Sequence, residues 1–277
     1  MKNRRILRKY SAILVMNVLA MFLFKACTKV PVENGMITMT TKASEVWFHV
    51  QVTGDISVYW GDGKVSNRND AIVDDYSDEN GFSFTHEYSG TNVCNIVITG
   101  NVTSLTCYAN WLTALDVSMN TALEILSCGG NQLTTLDVSR NTALTFLNCR
   151  RNQLTTLDVS RNTALTNLDC SDNQLTTLDV SKNTALKGLG CNFTQIKSLD
   201  ISKNTAMEGL SVVGNQFTAT ALNEIFRMLP DYSKRDNMKG IISIMGYHPS
   251  VSDNPGNLDC DRNIALERGW GFMSKRY

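Results

Sequence analysis

The sequence carries no excess of charge of either sign, and it has very few histidines. Its 277 residues include 26 Lys and Arg, 26 Asp and Glu, and 3 His. A balanced chain has no overall field that attracts nucleic acid, so nucleic acid is not expected as a partner. The sequence also lacks a phosphate-binding loop, a C-x-x-C or H-E-x-x-H metal motif, and a nucleophile placed with a base. We therefore predict no enzymatic activity, no cofactor and no metal site.

Cysteine is too scarce for a disulfide scaffold in a chain of this length, since there are only 8. Five of them lie 21 residues apart, at Cys107, Cys128, Cys149, Cys170 and Cys191. Val212 occupies the same position in the next copy, which favours a small apolar packing position over a metal or disulfide site. Stacked strands would bring these residues about 5 Å apart, but parallel side chains give the wrong dihedral for a disulfide. Cys94 and Cys260 lie outside this register and are also predicted to be buried, unpaired thiols.

The N-terminal apolar run is too short for a membrane-spanning helix, which needs about 20 residues. It follows the basic segment MKNRRILRKY, covers residues 11–24 and is interrupted by Asn17. This pattern predicts a signal peptide over residues 1–26. Cys27 directly after Ala26 resembles a bacterial lipoprotein processing site. The resemblance implies a lipid on Cys27, a tether over residues 27–35, and attachment to the outer membrane or cell surface. Without the lipid, the chain would be secreted or periplasmic.

The chain repeats itself with a period of 21 residues over the segment 101–217. The copies are Leu112–Gln132, Leu133–Gln153, Leu154–Gln174, Leu175–Gln195 and Ile196–Gln216. A period of this length is typical of a solenoid. The copies carry L-x-x-L-x-C-x-x-N, which resembles the leucine-rich-repeat motif with cysteine in its third apolar position, and the short repeats are similar to those of internalins. The resemblance implies a curved stack of coils, each giving one short strand to a parallel sheet.

The residue types in each copy have physical reasons that do not depend on the resemblance. Leu147 and Cys149 alternate with Asn148, which predicts a strand with one buried face. The asparagine after each strand is expected to turn inward and bond backbone groups at the bend. Thr194 replaces one of these asparagines, so we expect a local irregularity there. A 21-residue coil is too short for a regular helix, so its second half should be extended or a tight turn.

Two rows of opposite charge run along the second half of the copies. The acidic row is Asp116, Asp137, Asp158, Asp179 and Asp200, and the basic row is Arg140, Arg161, Lys182 and Lys203. Like charges stacked about 5 Å apart repel one another, and the opposite row could neutralise them. We favour this structural interpretation over a calcium site, because no Asp-x-Asp-Gly loop accompanies the aspartates.

The segments on either side of the repeats have different patterns. Residues 36–100 alternate as β-strands, and VYWGDG followed by HEY at His86 resembles the signature of PKD-type β-sandwich modules, with His86 interpreted as structural. Residues 218–277 predict a helix, a strand and a second short helix, which would cap the solenoid. The predicted fold is therefore mainly β: a 21-residue leucine-rich-repeat solenoid with an N-terminal small β-sandwich-like domain and an α+β C-terminal cap.

The whole layout resembles exported leucine-rich-repeat lipoproteins of Bacteroides-type gut bacteria, which implies a surface or periplasmic binding protein. On the predicted strand face the copies differ most, and Phe146 with nearby arginines has the composition of an interface hot spot. The candidate partner-binding residues are Phe146, Asn148, Arg150, Arg151, Asn167, Asp169, Asp172 and Phe193. A protein is the expected ligand. The alternatives are a glycan, with Tyr108, Trp111 and Phe193 as platforms, and a structural spacer that binds nothing.

Overall fold

The computed structural model describes residues 35–72, 81–90, 93–234, 240–244 and 253–273. They form a mainly β solenoid with small helical elements near its C-terminal end, and the predicted fold class is confirmed. The predicted signal peptide, the Cys27 lipid site and nearly all of the tether lie outside the described residues. Within the part of the chain that is described, no helix is both long and apolar enough to cross a membrane.

The described residues form short strands separated by turns, with two helices after the repeats. In chain order these are β1 (Met36–Thr41), β2 (Glu45–Tyr59), β3 (Val65–Asn67), β4 (Gly81–Glu87), β5 (Cys94–Thr106), β6 (Leu112–Asp116), β7 (Ile125–Ser127), β8 (Phe146–Asn148), β9 (Asn167–Asp169), β10 (Gly188–Gly190), β11 (Gly209–Ser211), α1 (Ala219–Met228), β12 (Gly240–Ser243), α2 (Asn263–Glu267) and β13 (Trp270–Phe272). A 3-10 turn, Arg68–Asp70, follows β3.

The coils stack through a parallel sheet of three-residue strands. Strands β7 to β11 pair in register, so that each residue lies beside its counterpart 21 positions away. The middle residue of each strand is a buried leucine, as at Leu147 with no exposed surface, while its two neighbours point outward. Burying one leucine on the next in every coil removes a continuous apolar stripe from water. The second half of each coil consists of extended segments and tight turns, as predicted.

The five in-register cysteines are all fully buried and form no disulfides. Burial raises the pKa of the Cys107 and Cys191 thiols to about 12. It raises the pKa of the three between them well above the ordinary value. The packing interpretation of this position is confirmed. Cys260 is also buried, but the prediction for Cys94 was wrong in one respect, since Cys94 is only half-buried on the strand that borders the N-terminal region.

The asparagines that follow the strands form a ladder of hydrogen bonds through the solenoid. The Asn152 side-chain amide donates to the Cys149 carbonyl of its own coil at 3.0 Å and to the Cys128 carbonyl of the previous coil at 3.1 Å. Its Oδ1 accepts the Leu133 amide at 3.0 Å. The ladder therefore satisfies backbone groups that the bend would leave unpaired, as the sequence predicts.

Both ends of this ladder lie outside the repeats. At the start, the Asn110 Oδ1 accepts the Trp47 amide at 2.9 Å, and its Nδ2 donates to the Trp47 carbonyl at 2.5 Å. At the end, Asn254 accepts the Asn215 amide at 3.1 Å and donates to the Val212 carbonyl at 2.8 Å. The flanking regions thus supply the first and last steps of the ladder and protect the ends of the stack.

Thr194 interrupts the ladder, as predicted. Its hydroxyl has two acceptors within reach, the Cys191 carbonyl at 3.2 Å and the side-chain oxygen of Asn215. A threonine has no second polar side-chain atom, so this position offers nothing like the Asn152 Oδ1 to accept the amide of Leu175. The Cys170 carbonyl of the previous coil also receives no bond from Thr194, although the strands on both sides keep their register.

A second asparagine ladder, to which the sequence analysis assigns no role, runs along the turns. Asn141 Nδ2 donates to the Val117 and Asn120 carbonyls at 2.9 and 2.8 Å. The same pair of bonds recurs in the following coils at Asn162, Asn183 and Asn204. These residues have no exposed surface, and their hydrogen bonds join each turn to the coil before it.

The charged aspartates of the acidic row are stabilised within their own turns rather than by ion pairs. Each aspartate Oδ1 accepts the amide of the serine two residues later, as Asp158 does from Ser160 at 2.9 Å. Hydrogen bonds from the Ser160 hydroxyl and amide lower the pKa of Asp158, and the charge of Arg161 adds a smaller effect. Across the described coils, no ion pair within 4.0 Å joins the acidic row to the basic row. The basic row therefore contributes only long-range attraction.

The N-terminal region and the solenoid share the strand β5. Residues 94–99 of β5 pair antiparallel with β1, and residues 104–106 pair parallel with β7 of the first coil. β5 passes without a break through residue 100, where the sequence analysis places a domain boundary. The buried residues on both sides belong to one hydrophobic core, which includes Trp60 and Leu126. The N-terminal strands thus extend the sheet of the solenoid and close its first end.

The C-terminal region closes the other end of the sheet. β12 pairs parallel with β11, and β13 pairs parallel with β12, so the sheet continues beyond the last copy. Helix α1 begins after Thr218, whose hydroxyl accepts the Ala221 amide, and buries Leu222, Ile225 and Phe226. The buried Trp270 donates from its indole to the Pro230 carbonyl at 2.8 Å. These contacts cover the last apolar face, as a capping element must.

Candidate binding face on the parallel strands

The outward positions of the strands and of the turns that follow them form one continuous surface. We define the strand face as the outward side chains of residues 125–130, 146–151, 167–172 and 188–193. Every candidate residue from the sequence analysis lies on it, and the register brings Phe146 beside Asn167 and Asn148 beside Asp169. Phe193 lies two coils beyond Arg151 at the equivalent position of its own coil. The candidate residues therefore lie on one continuous surface.

The difference between two neighbouring coils is confined to this face. Coils 133–153 and 154–174 differ at only four positions, which are Phe146 against Asn167, Asn148 against Asp169, Arg150 against Ser171, and Arg151 against Asp172. Other positions are equally exposed and yet identical in the two coils, among them Thr134 and Thr155, Asp137 and Asp158, and Arg140 and Arg161. Exposure alone therefore does not account for the variation.

The half of the strand face nearer the N-terminal region is apolar and aromatic. Ile125 and Phe146 are neighbours in register, and they expose 38% and 36% of their surface. Tyr108 of the preceding coil lies flat over Gly129 and Gly130, since a Cβ on either glycine would come within 3.1 Å of its ring. Large apolar side chains adjoining one another on an exposed sheet are what a contact surface requires.

Arg151 contacts one residue two coils before it and one residue of the next coil. Its Nη1 donates to the Tyr108 hydroxyl at 3.5 Å, and its Nε lies 3.8 Å from the Asp172 carboxylate. Both side chains of the ion pair are substantially exposed, so the pair contributes little free energy of folding. The pair orients Arg151 along the stack and places its charge next to that of Asp172.

Arg150 differs from Arg151 although the two are adjacent. Its backbone amide donates to Asn148 Oδ1 at 3.2 Å. Within the described part of the chain, its guanidinium forms no hydrogen bond or ion pair, and its Nε is buried. The two Nη groups are not among the buried unpaired atoms, so an acceptor from outside the chain can reach the guanidinium only through them.

The other half of the strand face is polar and lies over glycines. Asn167 and Asp169 extend above the next strand, where a Cβ on Gly188 or Gly190 would come within 2.6 Å or 3.0 Å of their side chains. Farther along, the Ser211 hydroxyl donates to Asn192 Oδ1 at 2.7 Å, and Asn192 Nδ2 donates to the Ser171 hydroxyl at 3.3 Å. This network was not predicted, because its members are separated in sequence and share no residue type.

One position of the strand face has a left-handed backbone in every coil. The residue two places after the ladder cysteine or valine has φ between 50° and 67°, at Ala109, Gly130, Arg151, Asp172, Phe193 and Gly214. Glycine adopts this conformation freely, while other residues lose roughly 1–2 kcal/mol there. Arg151 and Phe193 therefore occupy their positions at the expense of stability, which is common at functional sites.

At the left-handed position of Arg151, a glycine variant is expected to be more stable than an alanine variant, which is the reverse of the usual order. Arg151→Gly should be about 1 kcal/mol more stable than Arg151→Ala, because only the alanine retains the unfavourable φ. Both variants lose the contacts to Tyr108 and Asp172 equally, so their difference isolates the backbone. Urea unfolding of the two proteins measures it. At the exposed Thr135, whose φ is not positive, the glycine variant should be the less stable one; the same order at both positions would contradict the left-handed assignment.

The aromatic residues proposed as glycan platforms do not meet in the described structure. Trp111, Tyr108 and Phe193 expose 61%, 37% and 40% of their surface, and no stacking contact joins any two of them. Trp111, like Phe193, has a left-handed backbone with φ 54°. The three rings are therefore separate features of the surface rather than one platform.

The histidine of the N-terminal region lies in a packed aromatic cluster away from the strand face. The His86 ring stacks on Trp60 with centroids 4.5 Å apart and meets Tyr88 edge-on at 4.7 Å. Its Nε2 lies 2.9 Å from Asp62 Oδ2, and the pKa of Asp62 is lowered despite partial burial. The geometry agrees with the structural interpretation of His86. Among the described residues, no group of three His, Cys, Asp or Glu side chains could hold a metal ion.

Comparison with known proteins gives partial structural similarities. No protein-family model matches this chain, and no curated protein matches it. The functional domain of InlJ from Listeria monocytogenes, which includes a cysteine ladder, is 27% identical over 51% of this chain and 45% of its own, with a TM-score of 0.33. A leucine-rich-repeat protein of Leptospira interrogans is 20% identical over 57% of this chain and 38% of its own, with a TM-score of 0.45. The internalin InlF of Listeria monocytogenes is 21% identical over 57% of this chain and 43% of its own, with a TM-score of 0.46. This chain spans less than half the length of each.

Proposed function

We propose that this protein is a binding protein of the cell envelope or cell surface that uses the strand face to bind a protein partner. The observation that carries the proposal is the confinement of sequence differences between coils 133–153 and 154–174 to that face. A solenoid that only provided length would be free to vary at every exposed position. In these two coils the exposed turn positions are identical, and the four differences all lie on the strand face.

The composition of the strand face supports a protein rather than a glycan as the ligand. Ile125 and Phe146 adjoin, and Arg150 and Arg151 follow Phe146 in the same coil. Exposed aromatic and arginine side chains clustered together are typical of the centre of a protein interface. Binding of a sugar ring would instead require aromatic faces free to stack, and Tyr108 is laid over the glycines of the next coil.

The place of action follows from the N-terminal sequence. We propose that residues 1–26 direct export and that a lipid on Cys27 anchors the chain to the outer membrane or cell surface. Fatty-acid labelling that is lost in Cys27→Ser would support the anchor, and no labelling of the full chain would refute it and leave a secreted or periplasmic protein. The binding proposal does not depend on this outcome.

Partner capture tests the binding proposal. The chain from Thr28 onward, which contains all the described residues, is incubated with host and bacterial extracts and with a glycan array. We expect it to capture a protein, and we expect Arg150→Glu combined with Arg151→Glu to abolish capture, since reversing two charges opposes a matched interface by several kcal/mol. The melting temperature should not fall, because both side chains are at least partly exposed.

A matched double variant controls for net charge. Arg140→Glu with Arg161→Glu makes the same charge change on the turns and should retain capture. Glycans bound by the wild type and lost in the strand-face variant would favour the glycan alternative. Capture unaffected by either variant would place the binding site outside the strand face, and no capture by any protein would favour the spacer. Unfolding of the strand-face variant would mean that the two arginines are structural.

A further inference from the structure

We propose that the partner presents a carboxylate next to an apolar side chain, and that Arg150 receives the carboxylate. This inference rests on the proposed function and specifies the chemistry of the partner. The inference gives different roles to Arg150 and Arg151, which are adjacent and have the same side chain. Arg150 recognises the partner, while Arg151 is engaged within the chain and maintains the surface.

The acidic side chains around Arg150 are already engaged within the chain. Asp169 in the next coil accepts the Ser171 amide at 3.0 Å, and Asp172 lies 3.8 Å from Arg151. The Arg150 guanidinium has no bond to any described residue, and since its Nε is enclosed, a partner can reach only its two Nη groups. A carboxylate from outside would form a charge-assisted, two-pronged hydrogen bond with this group, which is the strongest pairing an arginine makes.

The neighbours of Arg150 along the stack carry no charge, and the Tyr108 ring covers the one on the N-terminal side, Gly129. The equivalent positions in the coils on either side are Gly129 and Ser171, which are small, and Ser171 is hydrogen-bonded to Asn192. Arg150 is therefore the single cation of this row between Gly129 and Asn192. A partner side chain can approach it without meeting another charge of the same row.

The apolar part of the partner is specified by the row of Phe146, which the row of Asn148 separates from that of Arg150. Ile125 and Phe146 lie in register on β7 and β8, and both are more than one-third exposed. Phe146 lies in the same coil as Arg150, and Ile125 lies in the coil before it. An apolar side chain packed on this pair gains free energy by removing both surfaces from water. A segment in which Asp or Glu adjoins Phe, Leu or Ile matches both requirements.

A random peptide library displayed on phage is the probe. Peptides are selected on the chain from Thr28 onward. Binding to the strand face is confirmed by its loss in the variant that combines Arg150→Glu with Arg151→Glu. We expect the enriched sequences to contain Asp or Glu next to a large apolar residue. Changing that acid to its amide should weaken binding about 10-fold to 100-fold, the effect of removing one charged hydrogen-bond partner.

Single variants assign the acid to one arginine. Arg150→Gln should produce the same loss as the peptide amide, and the two changes together should cost no more than either alone. Arg151→Gln should weaken binding less than threefold. Arg150→Lys should fall between wild type and Arg150→Gln, because it keeps the charge and loses the paired geometry.

Two results would overturn the inference while leaving a protein-binding face intact. One is peptides that bind the strand face with no preference for an acid. The other is an equal loss of binding in Arg151→Gln and Arg150→Gln. Failure to select any peptide that competes for the strand face would overturn both this inference and the proposed function.

Discussion

Raising the pH from 8 to 10 is expected to lower the free energy of unfolding by about 7 kcal/mol. Each of the five buried thiols accounts for about 1.4 kcal/mol of this loss, because it ionises in the unfolded chain and stays protonated in the folded protein. In the folded protein, burial raises the pKa of Cys107 and Cys191 to about 12. In the unfolded chain the thiols ionise near their ordinary value. Their contribution to stability is therefore complete below about pH 8.5 and declines as the pH rises toward 12.

A loss of this size equals the whole stability of many domains, which is about 5–15 kcal/mol. Urea midpoints measured between pH 7 and pH 10 should fall steeply above pH 8.5. Cys128→Val removes one of the five thiols and should reduce the slope by about a fifth. Val212 is a buried valine at the same position of a coil four repeats farther on, so this substitution should itself cost little stability. A variant with the same pH profile as the wild type would show that the buried thiols are not the cause.

Asn152→Ala is expected to destabilise the protein by about 4 kcal/mol, because it leaves several buried backbone groups unpaired at about 1–3 kcal/mol each. The groups are the Leu133 amide and the carbonyls of Cys128 and Cys149. No water can replace the side chain without opening the stack, since Asn152 is 7% exposed. Chemical denaturation at neutral pH measures the loss.

Two further variants separate the ladder from a general effect of losing an asparagine. Asn173→Thr reproduces the arrangement at Thr194 and should cost less than Asn152→Ala, because a hydroxyl still reaches the ladder carbonyl of its own coil. Asn148→Ala removes a side chain of the strand face that accepts only the Arg150 amide, and should cost less than about 1 kcal/mol. Equal losses for the three variants would contradict a specific role for the ladder.

The features that repeat every 21 residues could be predicted from the sequence. The buried leucines, the buried cysteines and the asparagine ladder each follow from a residue type that recurs at a fixed position. Thr194 could be recognised as an interruption for the same reason. Where the copies have the same residue at a position, its surroundings are also the same in each copy. A single physical explanation therefore applies to all of them.

The features that depend on one particular pairing could not be predicted. Alternating apolar residues identified β5 as a strand, but not that its two halves pair with different parts of the chain. Asn254 completes the ladder from a segment with no period, so nothing in its neighbourhood marks it. Arg150 and Arg151 have the same chemistry in sequence, and only their position relative to Tyr108 and Asp172 separates them.

The ladder and the two ends that complete it also determine how this chain can change in evolution. Trp47 and Asn254 bond to backbone and asparagine groups that every coil presents in the same place. Loss or duplication of a whole 21-residue unit would therefore leave each remaining coil with the neighbours it requires, and would change the length of the stack by about 4.8 Å. Unequal recombination between the nearly identical coils 133–153 and 154–174 provides such a change in one event. The binding surface can thus be lengthened or shortened without rebuilding either end.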